Sequence, residues 1–276
     1  MNDAALAPAS TRRRLASYAA YVRLQAGMGR AYRANYLLQL AGLLIQVYLF
    51  RVVWVAVYGH RHAMAGISLP EQIAYSSIVT VQAWLITPSA LYDLSQRVRE
   101  GTVGMDLLRP IGFLQQVVIG QAGSTLAALP FAVVVVPLAL LIGRALPPVS
   151  ALAAVQYVLA LLTGWAVTAL LGAVVGMLAF WTLEITGTFV VYQMVSSFLA
   201  GSLVPLWFMP SWLHAIAAVL PFEASSYVPL ALYLGQSHGT AAWLLLAEQA
   251  GWAIAAWALL KLVWSRAIRR VIIQGG

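Results

Sequence analysis

The sequence contains no cysteine, which excludes disulfides, thiolate metal sites and cysteine nucleophiles and says nothing else about compartment. Charge is scarce as well: Asp, Glu, Lys and Arg make up 9% of 276 residues, and Lys261 is the sole lysine among sixteen basic residues. Lys261 follows Leu260 rather than glycine, so the G-x-x-x-x-G-K-[ST] phosphate loop is missing. The four histidines, His60, His62, His214 and His238, have no carboxylate or thiol placed to complete a metal set or a nucleophile–base pair. Enzyme chemistry is therefore not expected, and no cofactor is expected on this chain.

What is abundant is apolar surface. Hydrophobic residues make up 62% of the chain and the mean hydropathy is +0.84. Such a composition belongs to the membrane class, because a water-soluble domain could not bury it. Six apolar runs can be drawn, at 36–58, 72–95, 115–142, 150–181, 187–209 and 240–264. Each reaches the ~20 residues a helix needs to cross a bilayer. The expected fold is an all-α polytopic membrane protein with six transmembrane helices. Pro88, Pro130 and Pro137 fall inside runs and should kink or end them.

The arginines orient this bundle. Arg12, Arg13, Arg14, Arg23, Arg30 and Arg33 precede the first run, Arg97, Arg99 and Arg109 separate the second from the third, and Lys261, Arg266, Arg269 and Arg270 close the chain. Thirteen of sixteen cations thus share one side, which the positive-inside bias makes cytoplasmic, with both termini there. The net charge of +8 reads as membrane orientation, and no nucleic-acid partner is expected. The arginine bias and abundant alanine suggest a GC-rich bacterial genome, so the expected location is a bacterial cell membrane.

Three divisions follow. Residues 1–35 form a cytoplasmic arm in which Arg12, Arg23 and Arg30 oppose Tyr21, Leu24, Met28 and Tyr32, the pattern of an amphipathic interfacial helix. The arm lacks a compact apolar stretch, so no cleavable signal peptide is expected. Residues 36–265 hold the spans, and 266–276 form a basic tail. Within the spanning domain, 205–239 is aromatic and punctuated by proline. It reads as short re-entrant or interfacial helices on the outer side, with Trp207 and Trp212 suited to the interface.

Segment 97–114 stands apart. Between Asp93 and Arg109 the chain places six of its charged residues: Asp93, Arg97, Arg99, Glu100, Asp106 and Arg109. It is too polar to cross a bilayer and reads as a cytoplasmic segment gripped by a soluble partner. In the spans, Arg51 and Glu248 are the ionisable residues, candidates for an ion pair between the first and last helices. Ser77, Thr80, Trp84 and Thr87 share one helical face and Phe189, Tyr192, Gln193 and Ser196 another; both are candidate walls of a substrate path, and helix-to-helix packing is the alternative. Gly172 and Gly176 form a small-xxx-small pair that permits close helix approach.

With these residues in view, the chain resembles the type-2 ABC transporter permeases, in particular the compact six-span bacterial branch. The resemblance is carried by Ala31-Tyr-Arg-Ala-Asn-Tyr36, Arg99-Glu-Gly-Thr-Val-Gly-Met-Asp-Leu-Leu-Arg-Pro110, Ala179-Phe-Trp-Thr-Leu183, Gly201-Ser-Leu-Val-Pro-Leu-Trp-Phe-Met-Pro210 and Leu220-Pro-Phe222. It implies a permease that pairs with itself or a sister permease and docks two copies of a cytoplasmic ATPase, which carries the ATP and Mg. The loop after the second span would be the coupling helix, with Glu100, Gly101, Met105, Asp106, Leu107, Leu108, Arg109 and Pro110 facing the ATPase. Glu100 near its start and Arg109 near its end would suit a helix dipole. Export is the implied direction. A secondary transporter would need mid-membrane coupling-ion ligands that are not evident, whereas a non-transporting membrane anchor or assembly protein would need only the docking surface.

Overall fold

The structure is a computed structural model that describes residue 20 and residues 33–109, 111–182 and 185–274. The expected interfacial helix of the N-terminal arm, Pro110 and the last two residues lie outside the described residues. The fold is all-α, apart from one two-residue hairpin. Among the described residues, four stretches are long and apolar enough to cross a membrane: Ala34–Tyr58, Phe113–Gly143, Ala151–Phe180 and Thr240–Arg270. They belong to helices α1 (Arg33–Tyr58), α5 (Phe113–Gly143), α6 (Ala151–Gly176, continued by a 3₁₀ turn at Met177–Phe180) and α10 (Thr240–Gln274). Pro130 and Pro137 sit inside α5 without ending it, as is tolerated where neighbouring helices satisfy the freed carbonyls. The basic residues Arg266, Arg269 and Arg270 continue α10 rather than forming a separate tail.

The second apolar run is two helices. After α1, strands β1 (Ala63–Met64) and β2 (Ile67–Ser68) pair through a two-residue turn in which Ala65 and Gly66 take φ values of 50° and 80°, the doubly left-handed geometry that matches strand twist. Ser68 then starts α2 (Leu69–Leu85) with a capping box: its backbone N–H and hydroxyl both donate to Glu71, and its Oγ accepts from the Glu71 N–H. Helix α2 stops before Pro88, and α3 (Ser89–Arg99) resumes after it. At 17 residues α2 is about 26 Å long, short of the ~30 Å hydrocarbon core unless α3 continues the path.

The fifth run departs further from expectation. Only α7 (Thr186–Leu199) forms, 14 residues or about 21 Å, and the chain turns at Gly201 with φ 77°. Pro205 and Pro210 then prevent the helix from resuming. The remainder of 205–239 consists of a 3₁₀ turn (Leu206–Phe208), α8 (Ser211–Ala218), a 3₁₀ turn (Pro221–Ser225) and α9 (Tyr227–Tyr233).

This segment is stitched into the bundle rather than laid on it. The Tyr75 hydroxyl donates to the Gly201 carbonyl at 2.9 Å, and the Trp207 indole N–H to Gln72 at 3.2 Å. Gln82 of α2 donates to the Ser225 carbonyl, and Gln249 of α10 to that of Ala224. Gly164 of α6 meets the Ala224 carbonyl so closely that no Cβ would fit. Trp207, expected at the interface, instead turns inward against the Tyr75 ring, centroids 4.6 Å apart, while Trp212 stays exposed.

The largest apolar cluster joins α3, α5, α6 and α10 through Leu94, Phe113, Val117, Met177 and Leu260. Trp264 stacks on Phe113 there, centroids 4.3 Å apart. A second cluster, Leu40, Leu43 and Val47 with Val81 and Val135, packs α1 on α2 and α5. Outside these seams the long helices keep Val, Leu and Ile exposed; Leu38, Val133 and Ile254 are three. A chain whose alkyl surface faces outward at this scale is matched to lipid rather than water.

Candidate functional site

The charged island folds as a tight corner, not as one helix from Glu100 to Pro110. Gly101, with φ 68°, closes α3 by a Schellman motif in which Thr102 N–H donates to the Arg97 carbonyl at 3.0 Å and Gly101 N–H to that of Val98 at 3.2 Å. The following helix, α4, covers only Val103–Leu107. Glu100 is therefore the C-cap of α3 and not an early residue of the next helix. The expected match between Glu100 and a helix N-terminus is corrected: glycine ends the first helix one residue later.

Inside the corner the side chains divide sharply. Val103 is buried and joins the cluster with Leu94 and Phe113. Asp106 is buried too. Its carboxylate accepts from Arg97 Nη1 at 3.4 Å and from Arg109 Nη1 at 3.2 Å. Gln116, at the start of α5, donates to the carbonyls of Asp106 and Ile111, both at 2.8 Å. Met105, Leu107 and Leu108 point the other way, and Leu108 is 87% exposed. Of the expected docking residues, then, Asp106 is an internal strut, whereas Glu100, Gly101, Met105, Leu107, Leu108 and Arg109 lie on the surface.

The two candidate path faces fare differently. Ser77 and Thr80 are buried and donate back to the carbonyls of Ile73 and Ser76, each at 2.7 Å. Ser77 also fills the space where Gly143 of α5 has no side chain. Trp84 packs on the α1 cluster and its N–H reaches Gln39 at 3.2 Å. These three line the seam between α2 and its neighbours. Thr87, by contrast, joins Tyr192, Gln193 and Ser196 of α7 around one cavity, with Thr168, Ser197, Phe222 and Ser225. Phe189 is not among its lining residues. The cavity holds about 50 Å³, its polar groups are hydroxyls and an amide, and among the described residues no charged side chain lines it.

Arg51 and Glu248 are not joined. Arg51 donates to the Ile142 carbonyl in the last turn of α5 at 2.9 Å, a cation at a helix C-terminus. Glu248 of α10 borders a separate small cleft with Glu223, Gln249 and Trp252. Among the described residues the ion pairs are those of Asp106 with Arg97 and Arg109.

A glutamine pattern escaped the sequence reading. Gln82, Gln116, Gln121 and Gln249 are buried in or at the ends of apolar helices, and each bonds the backbone of another element or of an adjoining turn. An amide in an otherwise apolar helix is an interhelical tie, and that rule could have marked them.

Residues 43–275 match the family model described as "ABC-2 family transporter protein". The chain belongs to that family. No curated protein and no solved structure matches it. As an ABC-2 transporter protein it is a multi-pass membrane protein, a permease of a family whose members are typically non-catalytic membrane subunits. Membership implies partnership with an ABC ATPase.

Proposed function

We propose that this ABC-2 protein is the permease of an ATP-driven exporter, docked by its ATPase at the corner formed by α3 and α4. The observation that carries the reading is the tip itself. Met105, Leu107 and Leu108 are exposed beside Arg99, Glu100 and Arg109, while Val103 and Asp106 hold the same five-residue helix rigidly from behind. A short helix with a fixed back and an apolar, charge-rimmed front is what a groove on a soluble partner can grip, the charges setting register.

In this reading the chain crosses the membrane six times. The path formed by α2 with α3 is the second crossing, and α7 with the turn after it the fifth. The arginine distribution supports cytoplasmic termini and a cytoplasmic docking corner. The segment 205–239 re-enters from the outside between α2, α6 and α10.

The substrate path lies along the cavity of Thr87, Tyr192, Gln193 and Ser196. Its volume of about 50 Å³ is far below the ~300–1,000 Å³ of ordinary ligand sites, so one chain does not enclose a substrate. No residue of α7 is buried, and Val191 and Met194 are exposed beside the cavity wall. A second permease, this chain or a sister, completes the path against that face. The uncharged lining suits a neutral or amphipathic cargo.

The docking reading is tested by co-purification. The double variant Leu107→Asp/Leu108→Asp should lose its ATPase while still inserting into the membrane and running as a folded protein in detergent. Undiminished ATPase binding by that variant would overturn the docking site.

A further inference from the structure

Two carboxylates share a cleft on the flank of α10. Glu223 belongs to the 3₁₀ turn Pro221–Ser225 and Glu248 to α10, and both line one small opening with Gln249 and Trp252. They lie near enough to repel each other. Glu223 is only 9% exposed, and among the described residues its carboxylate has no hydrogen-bond or ionic partner. Burying such a group unpaired is costly.

The turn holds Glu223 in place. Its Ala224 carbonyl accepts from the Gln249 amide at 2.9 Å and abuts Gly164, and its Ser225 carbonyl accepts from Gln82. Gln249 is fixed in its turn, because the Thr163 hydroxyl donates to its Oε1 at 2.8 Å. An amide oxygen has a second lone pair to offer.

The chemistry that fits this cleft is a small cation. Its volume is about 10 Å³, room for one water-sized centre. An –NH₃⁺ group has that size, and a trimethylammonium group does not. Ca²⁺ or Mg²⁺ would need about six or more oxygens. Apart from Glu223, Glu248 and Gln249 the walls are Leu220, Ala224, Val228, Leu245 and Trp252, and among the described residues no third acidic or imidazole side chain joins the pair. Those walls suit the alkyl stem that carries an ammonium, and an indole ring attracts cations to its face.

Glu248 marks the way in. It is exposed on α10, as are Leu244 four residues before it and Gly251 three after, all on one helical face. In the proposed topology Arg266 lies among the cytoplasmic headgroups. About twenty residues of helix, or ~30 Å, lead back from it to Leu246, so Glu248 comes within about 3 Å of the opposite headgroups.

We propose that this cleft binds the primary ammonium group of an amphipathic molecule from the bilayer, with Glu223 and Glu248 sharing its charge and Gln249 accepting the third N–H. An aminophospholipid headgroup and an amphipathic amine in transit both offer that group. The site is separate from the uncharged cavity at Thr87. Only its depth rests on the topology proposed above.

The test is a melt of the purified chain in dodecyl maltoside at about pH 8, above the value of about 7 to which burial raises Glu223. Phosphatidylethanolamine should raise the thermal midpoint by about 3 °C more than phosphatidylcholine does. Glu223→Gln and Glu248→Gln should each remove most of that difference. Dodecylamine is compared with dodecyltrimethylammonium in the same way. A difference in the lipid pair alone assigns the cleft to a headgroup, one in the alkylamine pair alone to an amphipathic amine, and one in both to the ammonium whatever carries it. No difference in either pair, or one that survives in both variants, overturns the site. Should Glu223→Gln not fold, Glu248→Gln decides alone, since position 248 is exposed. No ATPase is present, so failure here leaves the docking reading standing.

Discussion

Arg97 and Asp106, nine positions apart, meet at 3.4 Å with side chains only 16% and 6% exposed. The contact folds the end of α3 back on α4, and it turns inward a carboxylate that the sequence placed among the docking residues. Two largely desolvated charges of this kind contribute little net stability, but removing the carboxylate takes away the buried acceptor that Arg97 and Arg109 share. Asp106→Ala should therefore destabilise the protein by about 3 kcal/mol. The pair Arg97→Met/Asp106→Leu should recover most of that loss. Thermal unfolding of the purified variants in detergent checks both; equal losses in the single and double variants would mean that the pair is not coupled.

Tyr75→Phe removes the buried hydrogen bond to the Gly201 carbonyl. The ring contact with Trp207 remains, so the expected cost is about 1–2 kcal/mol, most of it from the carbonyl left unpaired. Limited proteolysis should report it as faster cleavage between 201 and 210, with the long helices unaffected.

Gly164→Val places a branched side chain where the Ala224 carbonyl lies. Backbone cannot yield as a flexible side chain can, so the 3₁₀ turn Pro221–Ser225 must shift. Overpacking of this kind costs typically about 1–3 kcal/mol. The variant should insert normally but unfold at lower temperature, and loss of the Gln249–Ala224 contact should appear as faster amide exchange at 222–226.

Glu223, in the 3₁₀ turn Pro221–Ser225, is almost fully buried, and among the described residues it has no cationic partner. Burial pushes its carboxyl up to about 7 from 4.5, and Glu248 adds like-charge repulsion. A raised carboxylate value means that the fold favours the neutral acid. The stability involved is present in full below pH 4.5 and is lost as the pH rises through about 7. Glu223→Gln should match the parent at about pH 4.5 and exceed it in thermal midpoint at about pH 8. A midpoint difference independent of pH would rule out this source.

How much of this was legible depended on whether a feature is local. The runs that became α1, α5, α6 and α10 are long, apolar and uninterrupted, and hydropathy finds such segments. The run 187–209 looked alike because averaging cannot see that Gly201 takes a positive φ and that Pro205 and Pro210 forbid resumption. Leu107 and Leu108 were readable as an exposed apolar tip because charges surround them in sequence. Asp106 was not readable as buried, since Arg97 reaches it only after Gly101 reverses the chain. Ser77 and Thr80 looked like a polar wall, but hydroxyls that bond to their own helix carry no such message. Thr87 lies on the same face and does reach the cavity, because the helix ends just before it.

The central claim is that the α3–α4 corner is the surface the ATPase grips. A photo-crosslinking residue at Leu108, 87% exposed at the tip, is compared with one at Val219, 71% exposed at the end of α8 and, in the proposed topology, on the opposite side of the membrane. In intact cells expressing both subunits, illumination should yield a crosslink to the soluble ATPase from position 108 and none from position 219. A crosslink from 219 alone, or none from 108 in a complex that still co-purifies, would contradict the assignment.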